Sequence, residues 1–306
     1  MYRFAGPCHT PEMNAQSKPW YGRWWAIALL IALVIAATGI LTVKALGMRS
    51  IEVDAEPFAQ EAGGFDYSWW NAALGRWVQP EGVDYDAVRA DEAELRRFIA
   101  TLGMTGPRTT PDRFTTDPER LSYYVNAYNA LVVFAVVDNW PIDTVHDVHG
   151  WLDPRAGFGF FYGLRFPLDG GEINLYDLEN ELIRGFVDAR IHAAINCASK
   201  SCPALMPFAF EPGRLDEQLD AVTRGFCSSP VHVRVDDEAE EIQLSAIFDW
   251  YKPDFEEHAR RLGRPATIED FILAFATPEV SAELERARGA EFDVVFRPYD
   301  WGLNRL

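Results

Sequence analysis

The chain has 306 residues, of which 48% are apolar and 24% charged, and its formal net charge is −18. This composition excludes collagen-like, low-complexity and wholly disordered classes, because enough apolar surface is present to offset the entropy of an ordered chain. The excess of 46 acidic over 28 basic residues also argues against nucleic acid as a partner, since few cations could replace the counterions of the phosphates.

An uncharged apolar stretch over residues 24–43 is the first feature along the chain, and it follows a tail, residues 1–23, that we expect in the cytoplasm. Twenty residues at about 1.5 Å of rise each cross the roughly 30 Å hydrocarbon core of a bilayer, which predicts one transmembrane helix. Trp24 and Trp25 begin it, where aromatic rings favour the headgroup level. A cleaved signal peptide is the alternative; we favour an anchor because the apolar run is long and no small-residue cleavage site follows it.

The distribution of charge predicts how the chain is oriented. Three Lys and Arg precede the apolar stretch and two follow it, a bias that predicts the N-terminus in the cytoplasm and the bulk of the chain outside it, which is the periplasm if the cell is Gram-negative. Residues 51–306 carry 23 Lys and Arg against 45 Asp and Glu, so anionic lipid should repel them. We therefore expect residues 44–64 to be a polar linker and residues 65–306 a globular domain that is tethered to the membrane by the N-terminal helix.

Hydrophobic periodicity and turn residues predict the elements of this domain. Helical spacing is found over residues 65–78, 86–102, 118–138, 174–184 and 213–226. Strands are expected within residues 158–166, 190–196, 231–235 and 241–244, and most of residues 139–172 are expected to be irregular. Helices outnumber strands, which predicts the α+β class: a helix-rich single globular domain with a small sheet.

Two asparagines lie on one face of the most apolar helix of the domain. Asn126 and Asn129 are three residues apart, so their amides project in nearly the same direction. A buried amide costs about 1–3 kcal/mol unless its hydrogen bonds are made. The pair therefore either orients groups at a site or ties the irregular segment, residues 139–172, to the core, and the sequence favours neither alternative.

The helix predicted over residues 174–184 carries Glu179 and Arg184. Five helical residues separate them, so the two side chains should leave different faces of an α-helix and meet different partners. A buried ion pair of structural importance is the simplest interpretation of the arginine.

The segment from His192 to Pro203 contains two cysteines, Cys197 and Cys202, at the end of a predicted strand. A thiolate near Lys200 or an imidazolium would have a lowered pKa and would be nucleophilic. However, an odd separation points His192 and Cys197 to opposite faces of a strand, so this histidine can serve the thiol only if the strand ends or bulges first. His146 and His149 are alternative bases.

The spacing of the cysteines allows three interpretations. Cys197 and Cys202 could close a small disulfide loop, which an extracytoplasmic compartment permits. They could bind zinc together with His192, although C-x4-C with one histidine is not a recognised pattern and leaves a fourth ligand unassigned. One of them could instead be a catalytic thiol, with Asn126, Asn129 or Glu179 orienting its base.

Several ordered motifs resemble the family called domain of unknown function 547, over most of residues 65–306 and most strongly over about 115–225. The motifs are Tyr124-x-Asn126-x-Tyr128-Asn129, Leu175–Arg184 with Glu179, His192-x3-Asn196-Cys197-x4-Cys202-Pro203, Trp250-Tyr251-x2-Asp254-Phe255 and Tyr299-Asp300-Trp301-x-Leu303-Asn304. Ala193 stands where the family would have phenylalanine, and Lys200-Ser201 varies the stretch between the cysteines. The resemblance implies little about activity. Similar domains in proteins that look intracellular make an obligatory disulfide less attractive and a thiol site more so.

We therefore expect a membrane-tethered domain with a thiol-centred pocket that performs acyl transfer or amide hydrolysis. The candidate catalytic residues are Cys197, His192, Asn126 and Glu179, and the candidate binding residues are Asn129, Asn196, Cys202 and Arg184. No cofactor or metal is predicted, and beyond the membrane the partner is a small molecule, a glycan or a protein. The rival is a non-enzymatic binding or assembly module with a structural disulfide, to which ten Trp, eleven Tyr and twenty Phe lend support.

Overall fold

The computed structural model describes residues 28–36, 38–39, 48–61, 63–150, 152–153 and 155–306. The chain divides into two units, Met1–Val43 and Lys44–Leu306. In the first unit the described residues are helical and their aliphatic side chains are exposed, with Leu29 at 64% and Ile35 at 66%. The predicted cytoplasmic tail, both ends of the predicted transmembrane segment and the start of the predicted linker lie outside the described residues.

Among the described residues, one helix has the length and hydropathy to cross a bilayer, and it belongs to the second unit. This helix, Asp117–Asp138, is 89% buried inside the protein over its apolar window, as expected for a core helix.

The second unit contains short strands among many helices. In chain order its first half has β1 (Arg49–Ser50), α1 (Ser68–Trp77), β2 (Val78–Gln79), β3 (Gly82–Val83), α2 (Tyr85–Ala90), α3 (Glu92–Met104), α4 (Asp117–Asp138), a π-helix (Gly159–Gly163), β4 (Leu164–Leu168) and β5 (Gly171–Ile173). Its second half has α5 (Leu175–Asp177), which continues as a second π-helix (Leu178–Ile183), then α6 (Ile191–Ala194), α7 (Leu215–Ser228), β6 (Val233–Asp236), β7 (Glu241–Ser245), α8 (Ala246–Trp250), α9 (Lys252–Arg261), α10 (Ile268–Phe275), α11 (Pro278–Gly289) and β8 (Asp293–Arg297). The predicted helix-rich α+β class is confirmed.

The strands form three small sheets rather than the one that was expected. β4 lies between β1, to which it is parallel, and β5, to which it is antiparallel. β2 and β3 form a two-stranded hairpin, and β7 lies between β6 and β8. The strands predicted within residues 231–235 and 241–244 are therefore confirmed as the antiparallel pair β6 and β7, and β8 extends this pair with a parallel edge.

Helix α4 is the centre of the core. It begins with a capping box in which Thr116 accepts a hydrogen bond from the backbone N–H of Glu119 and the Glu119 carboxylate accepts one from that of Thr116. Pro118 lies in the first turn, where it removes no intrahelical hydrogen bond. Residues 121–137 are buried on nearly every face, so the other helices and sheets pack all around this helix.

Part of the predicted linker belongs to the folded unit. Arg49 and Ser50 pair with β4, Ile51 is buried, and Phe58 packs against Trp69 with ring centroids 5.6 Å apart. Apolar side chains that recur among the acidic residues of this stretch explain why it docks onto the core instead of remaining extended.

The strand predicted over residues 190–196 is wrong. Ile191–Ala194 is a single helical turn, and the chain becomes extended only at Ile195. A short apolar run cannot be assigned to strand or helix from its pattern alone. The strand predicted within residues 158–166 is also only partly correct, because Gly159–Gly163 is π-helical and the strand begins at Leu164.

Candidate active site

A cavity of about 580 Å³ lies beside α4, between α6, α8 and the C-terminal segment. Eight of the residues in its wall are aromatic: Tyr128, Phe161, Tyr162, Tyr176, Trp250, Tyr251, Tyr299 and Trp301. The groups in this wall that could carry chemistry are Glu179, Asn180, Arg184, His192, Cys197 and Cys202. The cavity therefore combines an apolar surface with a few convergent polar groups, which is the usual character of a small-molecule site.

The two cysteines lie side by side in this cavity as free thiols, both half-buried. The Cys197 Sγ atom is 3.0 Å from the Ser199 hydroxyl and 3.0 Å from the Tyr299 hydroxyl, and Ser199 donates to Tyr299 over 2.9 Å. The backbone N–H of Cys197 donates to Cys202 Sγ over 2.9 Å. The thiol of Cys202 and the hydroxyls of Ser199 and Tyr299 therefore surround Cys197.

These contacts set the protonation of the thiols. Burial opposes ionisation of Cys197, but hydrogen bonds with Cys202, Ser199 and Tyr299 outweigh burial and lower the pKa of its thiol. Burial and the neighbouring Cys197 raise the pKa of Cys202 well above its usual value. Lys200, which the sequence analysis considered, is exposed and is not among the groups that lower the pKa of Cys197. Cys197 is therefore the more readily ionised thiol of the pair.

Asn129 and Asn196 shape the cysteine loop. The Asn129 side chain accepts a hydrogen bond from the Asn196 N–H (2.8 Å) and donates to the Ala194 carbonyl (3.0 Å). The Asn196 side chain in turn accepts from the Ala198 N–H (2.9 Å) and donates to the Pro203 carbonyl (2.7 Å). These bonds hold Ala198 at φ +62°, so the chain turns sharply directly after Cys197. Asn129 and Asn196, two of the candidate binding residues, thus hold the loop that carries the Cys197 thiol.

Asn126, a candidate catalytic residue, has its amide occupied elsewhere. It donates to the Phe210 carbonyl over 2.7 Å and accepts from the Phe210 N–H over 3.0 Å. Asn129 and Asn126 thus bind the backbone of residues 194–196 and of Phe210. The alternative in which they bind residues 139–172 is not seen among the described residues.

His192 is the histidine of the described residues that lines the cavity, and it is held by a carboxylate from α9. Its Nε2 atom is 2.8 Å from Asp254, and Arg184 donates to both oxygens of the same carboxylate at 2.8 Å each. Burial opposes the charge on Asp254, but the bonds from His192 and Arg184 outweigh it and hold the pKa of this carboxyl well below its usual range. Asp254 is therefore a permanent anion that orients the imidazole.

The other ring nitrogen of His192 is available. Nδ1 is buried and has no hydrogen-bond partner among the described residues. The ring stacks on Tyr251 with centroids 4.0 Å apart, and the Tyr251 hydroxyl donates to Glu179 over 2.5 Å. Burial and then the charge of Glu179 raise the pKa of Tyr251, so the phenol keeps its proton. Glu179 thus holds the phenol ring on which His192 stacks.

Glu179 and Arg184 have different partners, as predicted, but they line the same cavity. The reason is the π-helix, in which the Arg184 N–H donates to the Glu179 carbonyl five residues earlier. Residues five apart lie on different faces of an α-helix but one above the other in a π-turn. A π-turn inserted into an α-helix often marks a functional site.

Three residues of this arrangement were missed as site residues: Asp254, Tyr251 and Tyr299. They were quoted only as parts of the family motifs, and no local spacing connects them to residues 179–202. His146, an alternative base, packs on Trp301 with ring centroids 4.6 Å apart, and His149 is exposed with its Nδ1 on the Gly150 carbonyl. The described residues contain no group of three or more His, Cys, Asp or Glu that could hold a metal ion.

Residues 111–227 match the family described as "Protein of unknown function, DUF547". This segment contains α4, the Glu179 turn, His192 and both cysteines, whereas Tyr251, Asp254 and Tyr299 follow it. No curated protein and no solved structure matches the chain. The match supports the DUF547 family for this chain, over the segment that supplies the thiols and the imidazole of the cavity.

Proposed function

We propose that the chain is a thiol-dependent hydrolase or acyltransferase, with Cys197 as nucleophile and His192 as general base and acid. The observation that carries this proposal is the state of His192: Asp254 binds Nε2, Nδ1 is unpaired among the described residues, and His192 lines the same cavity as Cys197. An imidazole with one nitrogen on a carboxylate and the other available to a nucleophile is the arrangement that activates serine and cysteine enzymes.

The reaction follows from these positions. The Cys197 sulfur attacks the carbonyl carbon of an ester or amide, a C–S bond forms, and the bond to the alcohol or amine breaks. His192 Nδ1 takes the thiol proton and returns it to the leaving group. Water or a second nucleophile then cleaves the thioester, which completes hydrolysis or transfer. No hydrogen bond joins Cys197 to His192 within the described chain, so proton transfer requires the two groups to approach, or one water to bridge them, when substrate is bound.

The environment of Cys197 supports its role as the attacking group. Burial and the charges of the two cysteines raise the pKa of Tyr299, so its hydroxyl keeps its proton and can donate to a thiolate. Cys202 also remains protonated in this environment. The thiolate is therefore stabilised by neutral donors.

Acetylation by p-nitrophenyl acetate tests the proposal without knowledge of the natural substrate. We expect an acetyl adduct on Cys197 in the intact mass spectrum, no such adduct in Cys197→Ala, and a slower rate in His192→Ala. Cys202→Ala is the matched control and should retain the adduct. Acetylation that is unchanged in Cys197→Ala, or that is as fast in His192→Ala as in the wild type, would refute the proposal.

The second candidate is a non-enzymatic binding module. The aromatic wall favours it, because stacked pairs such as Trp250–Trp301 (5.7 Å) and Tyr162–Tyr176 (4.2 Å) present flat surfaces to a sugar or a peptide. Cys197→Ser and His192→Ala variants that fold normally and still support the cellular role of the protein would favour this function over the enzymatic one.

We also propose that residues 24–43 anchor the protein in a membrane, with residues 44–306 outside the cytoplasm. The exposed aliphatic side chains over residues 28–36 support an apolar environment for this helix. We expect the full-length mass in the carbonate-washed membrane fraction, and digestion of the body by protease added to spheroplasts. A mature chain that lacks residues 1–43 would show a cleaved signal peptide, and protection from protease would reverse the orientation.

A further inference from the structure

A second cavity, of about 330 Å³, lies next to the first and shares Tyr299 with it. Its lining side chains are Ser201, Pro230, Val231, Ser245, Ala246, Arg297, Pro298 and Tyr299. This lining contains an arginine and three hydroxyls but no carboxylate. In a chain with 46 acidic residues, a cavity without one is an unusual environment for an arginine.

Arg297 is not paired with any acid in the described part of the chain. Its Nη2 donates to the Val231 carbonyl, and its Nε atom is buried without a hydrogen-bond partner among the residues described. A buried guanidinium N–H that makes no hydrogen bond loses its hydration without compensation. The guanidinium of Arg297 therefore has unused hydrogen-bond donor capacity.

Two serine hydroxyls of the cavity also have O–H donors that no hydrogen bond uses in the described part of the chain. Ser201 accepts a hydrogen bond from the Asp300 N–H over 2.9 Å, and Ser245 accepts one from the Ile247 N–H over 3.3 Å. Neither hydroxyl donates to an acceptor within the described residues. The cavity thus brings together the Arg297 guanidinium and two O–H groups, whose complement is an anion with several acceptor oxygens.

The surrounding charges agree with an anion. Burial lowers the pKa of the nearby His232 to about 4, with a smaller contribution from Arg297, so this histidine is neutral near pH 7. Arg234, the other cation near Arg297, is paired with Asp236 at 3.3 Å. Arg297 is therefore the source of net positive charge in this cavity.

We propose that the second cavity binds an oxyanion, a carboxylate or a phosphate, carried by the molecule whose acyl group reaches Cys197. The Tyr299 side chain forms part of both cavities and its hydroxyl contacts the Cys197 sulfur, so a ligand anchored at Arg297 extends directly towards the thiol. The identity of the molecule that carries the anion rests on the proposed function. Binding of the anion itself does not depend on catalysis.

Calorimetric titration of the full-length protein with inorganic phosphate and with succinate, at constant ionic strength in chloride, tests the assignment. We expect one of the two anions to bind, and its affinity to fall about tenfold or more in Arg297→Gln, because a charge-assisted hydrogen bond is lost. Ser201→Ala should weaken binding less. Arg264→Gln, which removes the same charge from an exposed arginine outside both cavities, should leave the affinity unchanged.

The same titration on Cys197→Ala separates this inference from the proposed function, since anion binding does not need the thiol. Binding of phosphate alone identifies a phosphorylated ligand, and binding of succinate alone a carboxylated one. If neither anion binds the wild type, or if Arg264→Gln weakens binding as much as Arg297→Gln, the inference is overturned even where Cys197 is acetylated. Arg297→Lys, which keeps the charge, shows whether loss of binding in Arg297→Gln reflects misfolding.

Discussion

The imidazole of His192 lies against the phenol of Tyr251, with ring centroids 4.0 Å apart, and each of the two residues is held by a different carboxylate. Asp254 binds His192 Nε2 at 2.8 Å, and Glu179 accepts the Tyr251 hydroxyl at 2.5 Å. The plane and the rotation of the imidazole are thus fixed independently. Such fixation is what a general base needs, because misplacement by about 1 Å costs about 100-fold in rate.

Replacement of Asp254 by asparagine should slow acetylation of Cys197 by about 100-fold or more. Asparagine fills the same space, but its amide does not stabilise an imidazolium and can select the wrong tautomer. Asp249→Asn, on an exposed position of α8, is the matched control and should acetylate Cys197 at the wild-type rate. Stopped-flow release of p-nitrophenol across a pH series measures both rates. Equal rates for the two variants would contradict the role of Asp254.

Iodoacetamide should label Cys197 before the other cysteines of the described chain. The lowered pKa of Cys197 gives it a larger thiolate fraction near pH 7, whereas the raised pKa values of Cys202 and Cys227 keep those thiols protonated. Peptide mass spectrometry after brief labelling at several pH values gives the midpoint for each thiol. We expect the midpoint of Cys197 to lie below that of free cysteine, and a midpoint above it would contradict the assignment of the nucleophile.

Tyr299→Phe should raise the pKa of Cys197 and slow its alkylation near pH 7. The substitution removes the hydroxyl that lies 3.0 Å from the sulfur, so the thiolate loses a donor worth about 1–3 kcal/mol. Tyr176→Phe removes a hydroxyl from the same cavity wall without touching the thiol, and should leave the midpoint unchanged. The alkylation midpoints of the two variants decide the question, and a shared shift would point to a general change in the cavity.

The sequence predicted the composition of the site better than its geometry. Cys197, His192 and Glu179 do line one cavity, and the core helix lies where its pattern placed it. The arguments about which face of its element each side chain leaves rested on the wrong periods. They assumed a period of two for residues 190–196 and of 3.6 for residues 174–184, whereas the chain forms a single helical turn in the first segment and a π-helix in the second.

The partners of these side chains could not be predicted from local patterns. Asp254 meets His192 from a helix 62 residues away in sequence, and Tyr299 meets Cys197 from 102 residues away. Neither contact has a periodicity or spacing that a single sequence reveals, because tertiary packing alone creates it. Asn129 is a further example, since it could be recognised as a buried amide but its partners, Ala194 and Asn196, could not be assigned.

Asn129→Ala should both destabilise the domain and disturb the thiol. It leaves the Asn196 N–H and the Ala194 carbonyl unpaired in the core, which costs about 2–4 kcal/mol, and it frees the loop that holds Cys197. Asn126→Ala removes an equivalent pair of bonds to Phe210, so it should be similarly destabilising but leave the alkylation midpoint of Cys197 unchanged. Urea unfolding and iodoacetamide labelling measure the two effects. A loss of Cys197 acetylation in a folded Asn126→Ala would instead support a catalytic role for Asn126.

The stability of the domain should fall with acidification partly because of His232. Burial, and secondarily Arg297, lower the pKa of this histidine from about 6.5 to about 4 in the folded state. The unfolded chain therefore binds a proton that the folded one does not. This contribution to stability is fully present above about pH 6.5 and is lost as the pH falls towards 4, by about 3 kcal/mol in total.

His232→Gln cannot take up that proton, so its free energy of unfolding should change less between pH 7 and pH 4.5 than that of the wild type. His149→Gln is the control, because this histidine is exposed on a loop, and its side-chain hydrogen bond among the described residues is to the adjacent Gly150. Urea titrations of the three proteins at both pH values give the comparison, and an equal loss of stability in the wild type and in His232→Gln would show that His232 is already protonated in the folded state.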